Sequence, residues 1–87
     1  MAWFLYVLRC GDGTLYTGVT TDVERRLAEH AAGRGARYLR GRGPLVLLRA
    51  WEYPDERAAK RAEARVKRFP RTRKLSMVAA SEPPCSA

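Results

Sequence analysis

The apolar and polar positions along the chain change period several times, and each change marks an element. Trp3–Leu8 is a continuous apolar run, the pattern of a short strand covered on both faces. Gly11-Asp12-Gly13 signals a tight turn, and Leu15–Thr20 reads as a second strand, so the two runs form a hairpin. Thr21-Asp22-Val23-Glu24 has the form of a capping box with Thr21 as the N-cap; it opens a helix to about Ala32 that Gly33 ends. Leu45–Trp51 is a third strand. Pro54 suits a first helical turn, with Asp55 and Glu56 at its positive end, and that helix should run to about Arg68. Pro70 interrupts it, and a short last helix is expected over Arg71–Ala79. The order β-β-α-β-α-α predicts an α/β chain of the α+β type: a small three-stranded, mainly antiparallel sheet flanked by helices. Its first strand, apolar on both faces, should be central. Residues 1–80 form one domain, and Ser81–Ala87, with Pro83-Pro84, is expected to be a disordered tail.

The turn decides which side chains share a face. A two-residue Asp12-Gly13 turn would pair Gly11 with Thr14 and send Tyr6 and Tyr16 to opposite faces. A three-residue Gly11-Asp12-Gly13 loop pairs Cys10 with Thr14 and places Gly13 where such loops take a left-handed residue. Tyr6 then faces Gly18, whose missing side chain leaves room over the ring, and Tyr16 faces Leu8. The sequence therefore predicts an odd-length loop and both tyrosines on one face. Strand tyrosines also serve as ordinary core-edge residues; a glycine inside a short strand points instead to a close approach.

At about 100° per residue, Val23, Leu27 and Ala31 form the apolar stripe of the first helix. Arg26 and His30 border it, and Arg25 points to solvent. Two readings stand for the pair: Arg26 snorkels over apolar surface while His30 is a helix-end cation, or both face a cleft beside the tyrosines. In the second helix, Ala58, Ala62, Val66 and Phe69 form the stripe, with Ala59 at one edge and Glu63 just beyond it. Glu63 is the one acidic residue from Arg57 through Ser81. It suits an i,i+4 pair with Lys67, or an oxygen ligand for Mg²⁺, which uses one or two carboxylates with waters and substrate phosphate.

Charge narrows the field of partners. Seventeen Lys and Arg face nine Asp and Glu, for a net charge of +8 and a pI near 10.3. Such a balance favours polyanions, with nucleic acid ahead of an anionic membrane surface. The segment Gly33–Gly43 carries Arg34, Arg37, Arg40 and Arg42, candidate backbone contacts together with Lys67. It lacks GxxxxGK[ST], so it is no nucleotide P-loop. No stretch is long enough to span a bilayer, and Trp3–Leu8 is too short for a signal sequence, so a cytoplasmic protein without membrane contact is expected. Cys10 and Cys85 are too few for a disulfide framework and read as reduced thiols.

Taken in order, Phe4-Leu5-Tyr6, Tyr16-Thr17-Gly18, Arg26 through His30, and Glu63 resemble the GIY-YIG nuclease superfamily, in particular its short single-domain bacterial members. The likeness covers residues 3 to about 76. It implies a divalent-metal-dependent endonuclease that hydrolyses nucleic-acid phosphodiester bonds, DNA more than RNA, in repair or recombination. It also implies that Tyr6 and Tyr16 line the site and that one helps deprotonate the attacking water. Arg26 would stabilise the scissile phosphate, His30 would orient or assist a tyrosine, and Glu63 would hold a single Mg²⁺ or Mn²⁺. Gly18 is structural within that site. Two positions depart from the pattern: Phe4 replaces a Gly, and Val19 stands where many relatives carry Lys, which removes one phosphate contact. With no recognition domain beside it, little sequence preference is expected. The alternatives are a non-catalytic nucleic-acid-binding module with the same fold and, further behind, a protein–protein adaptor; a protein partner is left open.

Overall fold

The fold, a computed structural model, is described for residues 2–35, 39 and 41–80. Three strands and three helices follow in the expected order: β1 (Trp3–Arg9), β2 (Leu15–Thr20), α1 (Val23–Ala31), β3 (Val46–Tyr53), α2 (Glu56–Lys67) and α3 (Arg71–Ala80). The strands form one antiparallel sheet in the order β2-β1-β3. β1 is central, and it alone of the three strands supplies buried apolar side chains to both faces. Leu5 and Val7 pack with Trp51, Tyr53 and the inner face of α2. Tyr6 and Leu8 form a second cluster on the opposite face, with Cys10 and Leu39 buried and Tyr16 and Leu27 packed against it.

The hairpin has the register that the three-residue loop dictates. The Cys10 N–H donates to the Thr14 carbonyl at 2.8 Å, Tyr6 faces Gly18, and Leu8 faces Tyr16. Gly13 takes the left-handed position at φ +86°. On the other side β1 pairs with β3, with a register shift between Val7 and Leu8.

Several boundaries move. The N-cap of α1 is Asp22, not Thr21: the Asp22 carboxylate accepts from the Arg25 N–H at 3.0 Å. The Thr20 hydroxyl accepts from the Asp22 N–H at 3.2 Å, a local bond that competes with an earlier helical turn. Pro54 lies outside α2, because Asp55 caps it by accepting from the Ala58 N–H at 2.9 Å. β3 runs two residues beyond Trp51, since Glu52 and Tyr53 find partners in Phe4 and Trp3.

The helix phases are rotated too. In α1 it is His30 that is buried and Ala31 that is exposed, with Arg26 and Leu27 part-buried. An imidazole with a polar partner inside gains more from that position than a methyl group. In α2 the buried residues are Ala59, Ala62 and Val66, and Ala58 and Phe69 are partly covered. That turn brings the Ala59 side of the helix inward. Glu63, one turn beyond Ala59, moves to the margin with it.

Candidate functional site

Register, helix phase and one turn bring five of the sequence-predicted residues together. Tyr6 and Tyr16 share a sheet face, and α1 lays His30 against both. The ring centroids lie 6.3 Å apart for Tyr6 and Tyr16, 6.1 Å for Tyr6 and His30, and 5.6 Å for Tyr16 and His30, the last pair edge-on. The Tyr6 hydroxyl and His30 Nε2 form a buried hydrogen bond of 2.9 Å. Gly18 is part of the fit: a Cβ there would lie 2.5 Å from the Tyr6 hydroxyl oxygen and 3.2 Å from the Tyr16 ring.

Arg26, one turn before His30, is held by Glu29 at 3.2 Å. Glu29 was not anticipated. Its only sequence signal is the i,i+3 spacing, which any surface pair shows. Arg26 lies beside Tyr6 and Arg25 is exposed, as the helical periodicity requires. Glu63 comes from α2, which packs on the Leu5–Val7 face of the sheet, yet its charge still acts on Tyr6. Its side chain is 22% exposed and its carboxylate meets Lys67 Nζ at 3.4 Å.

The candidate backbone contacts divide. Arg34 is exposed at the end of α1. Arg42 forms an ion pair with Asp12 at 2.5 Å, which, with the Gly11 N–H bonded to the Arg42 carbonyl, ties the hairpin loop to the later segment. Arg37 and Arg40 lie outside the described residues, as do Cys85 and the rest of the expected tail. Cys10 is a buried, free thiol.

Burial, then the neighbouring Tyr16, pushes the Tyr6 pKa up to about 12; Arg26 pulls against them and Glu63 adds to them. Burial and then the Arg26 charge push His30 below its ordinary 6.5, with Glu29 opposing. Burial opposes the charge on Arg26, but Glu29 and Tyr6 hold its pKa above the ordinary value. At neutral pH the site therefore holds a protonated phenol, a neutral imidazole and a guanidinium.

The depressed His30 pKa has a consequence for stability. Below 6.5 the unfolded chain binds a proton that the folded chain resists. The stabilisation is complete above that value and is lost as pH falls through the folded-state value. Thermal unfolding followed from about pH 7 to about pH 5 should show a steeper loss for the wild type than for His30→Gln. Equal slopes would remove His30 from the account.

Glu63 offers a part-exposed carboxylate of the kind that shares Mg²⁺ or Mn²⁺ with waters and a substrate phosphate. Among the described residues no three His, Cys, Asp or Glu side chains are grouped so as to hold a metal ion by themselves.

A three-stranded antiparallel sheet with three helices, an aromatic pair on one face and an Arg-x-x-x-His helix laid against it makes a small α+β domain. Residues 2–76 match the GIY-YIG catalytic domain, and the chain belongs to that family, which lies within a nuclease superfamily. It is 54% identical over 77 residues to a UPF0213 protein of Nitratidesulfovibrio vulgaris, covering 88% of this chain and 70% of that one. A UPF0213 protein of Streptococcus sanguinis is 52% identical over 75 residues, covering 86% of each. The solution NMR structure of a UPF0213 protein from Bacillus halodurans superimposes with a TM-score of 0.62 at 45% identity, over 97% of this chain and 89% of that one. A second solution structure, of a protein from E. faecalis, gives 0.63 at 32% identity, over 93% and 88%.

Proposed function

We propose that the chain is a divalent-metal-dependent endonuclease that hydrolyses phosphodiester bonds in nucleic acid, with DNA undergoing repair or recombination as the favoured substrate. The observation that carries this reading is the buried Tyr6–His30 hydrogen bond beside Arg26. A phenol with a pKa near 12 is almost wholly protonated at neutral pH, so it takes up a proton only by giving up its own. Neutral His30 accepts it: as Tyr6 removes a proton from the attacking water, its own moves to Nε2, 2.9 Å away. The water oxygen then bonds to phosphorus, the bond to the leaving oxygen breaks, and solvent protonates that oxygen. Arg26, fixed by Glu29, opposes the charge that builds on the phosphate. Mg²⁺ or Mn²⁺ held by Glu63 would add positive charge at the same phosphate. Tyr16 packs against the imidazole in an edge-type contact. A cytoplasmic location goes with this substrate. Among the described residues no helix is long and apolar enough to cross a membrane.

The test is direct. Purified protein is incubated with branched, single-stranded and duplex DNA and RNA, with Mg²⁺, Mn²⁺ or EDTA. Cleavage that needs the divalent ion supports the reading; binding without cleavage would make the chain a non-catalytic module. Binding itself should show little sequence preference and weaken with salt, since Arg34 and the exposed Lys and Arg of α2 contact backbone. With about six phosphates neutralised, affinity falls roughly 10³-fold between about 50 and 200 mM salt. A flat response would remove the electrostatic argument.

A further inference from the structure

The chain leaves α1 through a left-handed turn. The Gly33 N–H donates to the His30 carbonyl at 3.1 Å, the Arg34 N–H donates to the Glu29 carbonyl at 2.8 Å, and Gly33 has φ +79°. This pair of bonds is a Schellman arrangement, which turns the following backbone across the end of the helix. There Gly35 meets His30. A Cβ on Gly35 would lie 1.8 Å from His30 Nδ1 and 2.6 Å from Cε1, closer than any side chain permits. The main chain is thus seated against the Nδ1 edge of the imidazole, while Nε2 holds the Tyr6 hydroxyl.

We propose that Gly35 is a positioning residue: its missing side chain lets the backbone support the His30 ring and keep Nε2 on Tyr6. The role in catalysis rests on the nuclease reading; the seating of the ring does not. From sequence, Gly33 to Gly43 reads as a basic loop that contacts nucleic acid, and its first two glycines serve the site instead. They are small for different reasons. A Cβ on Gly33 would meet nothing within 4 Å, but the residue sits at positive φ. Gly35 has no such backbone requirement, and the imidazole alone excludes a side chain. A cavity of about 270 Å³ borders His30, lined also by Leu39, Gly43 and Leu45, so a displaced ring has somewhere to go and the fold can survive the change.

This contrast supplies the test. His30 is the single histidine of the chain, so its ring signals in NMR are unambiguous. Gly35→Ala should shift those signals and move their titration midpoint back toward 6.5. Gly33→Ala should lower thermal stability and leave the ring signals and midpoint in place. In cleavage, Gly35→Ala should lose about tenfold or more in the wild-type background and less than about twofold when added to His30→Ala, where no ring is left to displace. Unchanged ring signals in Gly35→Ala, or equal losses in both backgrounds, would overturn the proposal. If the wild-type chain cleaves none of the substrates, the nuclease reading falls, and the ring signals still decide how His30 is seated.

Discussion

Glu63→Gln should abolish divalent-metal-dependent cleavage and leave binding to the nucleic-acid backbone intact or tighter. Glu63 is the one carboxylate from Arg57 through Ser81, in a stretch otherwise rich in Lys and Arg. The substitution keeps the shape and removes the charge that would hold the ion. A metal contributes several kcal/mol of charge stabilisation to phosphoryl transfer, so the loss should be on the order of 10³-fold or more. Folding should hardly change, because the Glu63–Lys67 pair is a surface pair worth about 0.5 kcal/mol or less. Freed of Glu63, Lys67 gains reach toward phosphate, which is why affinity is expected to hold or rise. Single-turnover cleavage and filter binding on the same preparation separate the two effects. A wild-type cleavage rate in Glu63→Gln would sink the assignment.

Arg26→Ala should cost about 10²- to 10³-fold in cleavage, the usual effect of removing one preorganised group that opposes developing negative charge. Arg25→Ala should cost only a few-fold, through weaker backbone attraction. The two residues are adjacent in sequence and differ only in direction: Arg26 is part-buried, held by Glu29 and beside Tyr6, while Arg25 is exposed. Arg26→Lys should restore little, because a single ammonium lacks the guanidinium's several donors and cannot both hold Glu29 and face a phosphate. Equal losses at the two positions would mean that both only attract backbone.

What was legible in the sequence was whatever local rules decide. The Gly11-Asp12-Gly13 loop fixes the hairpin parity, and parity places Tyr6 and Tyr16 on one face. Helical spacing separates Arg26 from Arg25. Local bonds shifted the helix caps, but the larger displacements depend on partners far along the chain. α1 turned toward His30 because Tyr6 offers it a buried hydrogen bond, which an apolar-stripe count does not register. β3 reached Tyr53 because Trp3 pairs with it. Arg42, a candidate phosphate contact by composition, is engaged by Asp12, thirty residues earlier. Gly35 looked like an ordinary loop residue, since the ring that excludes its side chain meets it only in the folded chain.

The strand order carries a further consequence, for handling and for behaviour on a polyanion. With β1 in the middle, β2 and β3 each leave one edge unpaired within this sheet, and at one end of β3 Val46 and Leu47 are 41% and 39% exposed. Open edges with apolar side chains are templates for intermolecular pairing. The register shift in the β1–β3 ladder twists one edge, but the main safeguard is mutual repulsion between molecules that each carry +8. Nucleic acid removes that safeguard as it binds. Near charge balance, crowded molecules along one strand would meet edge to edge with their repulsion cancelled. The charge that draws the protein to its substrate is also what keeps it dispersed, and the two roles compete at every phosphate it neutralises.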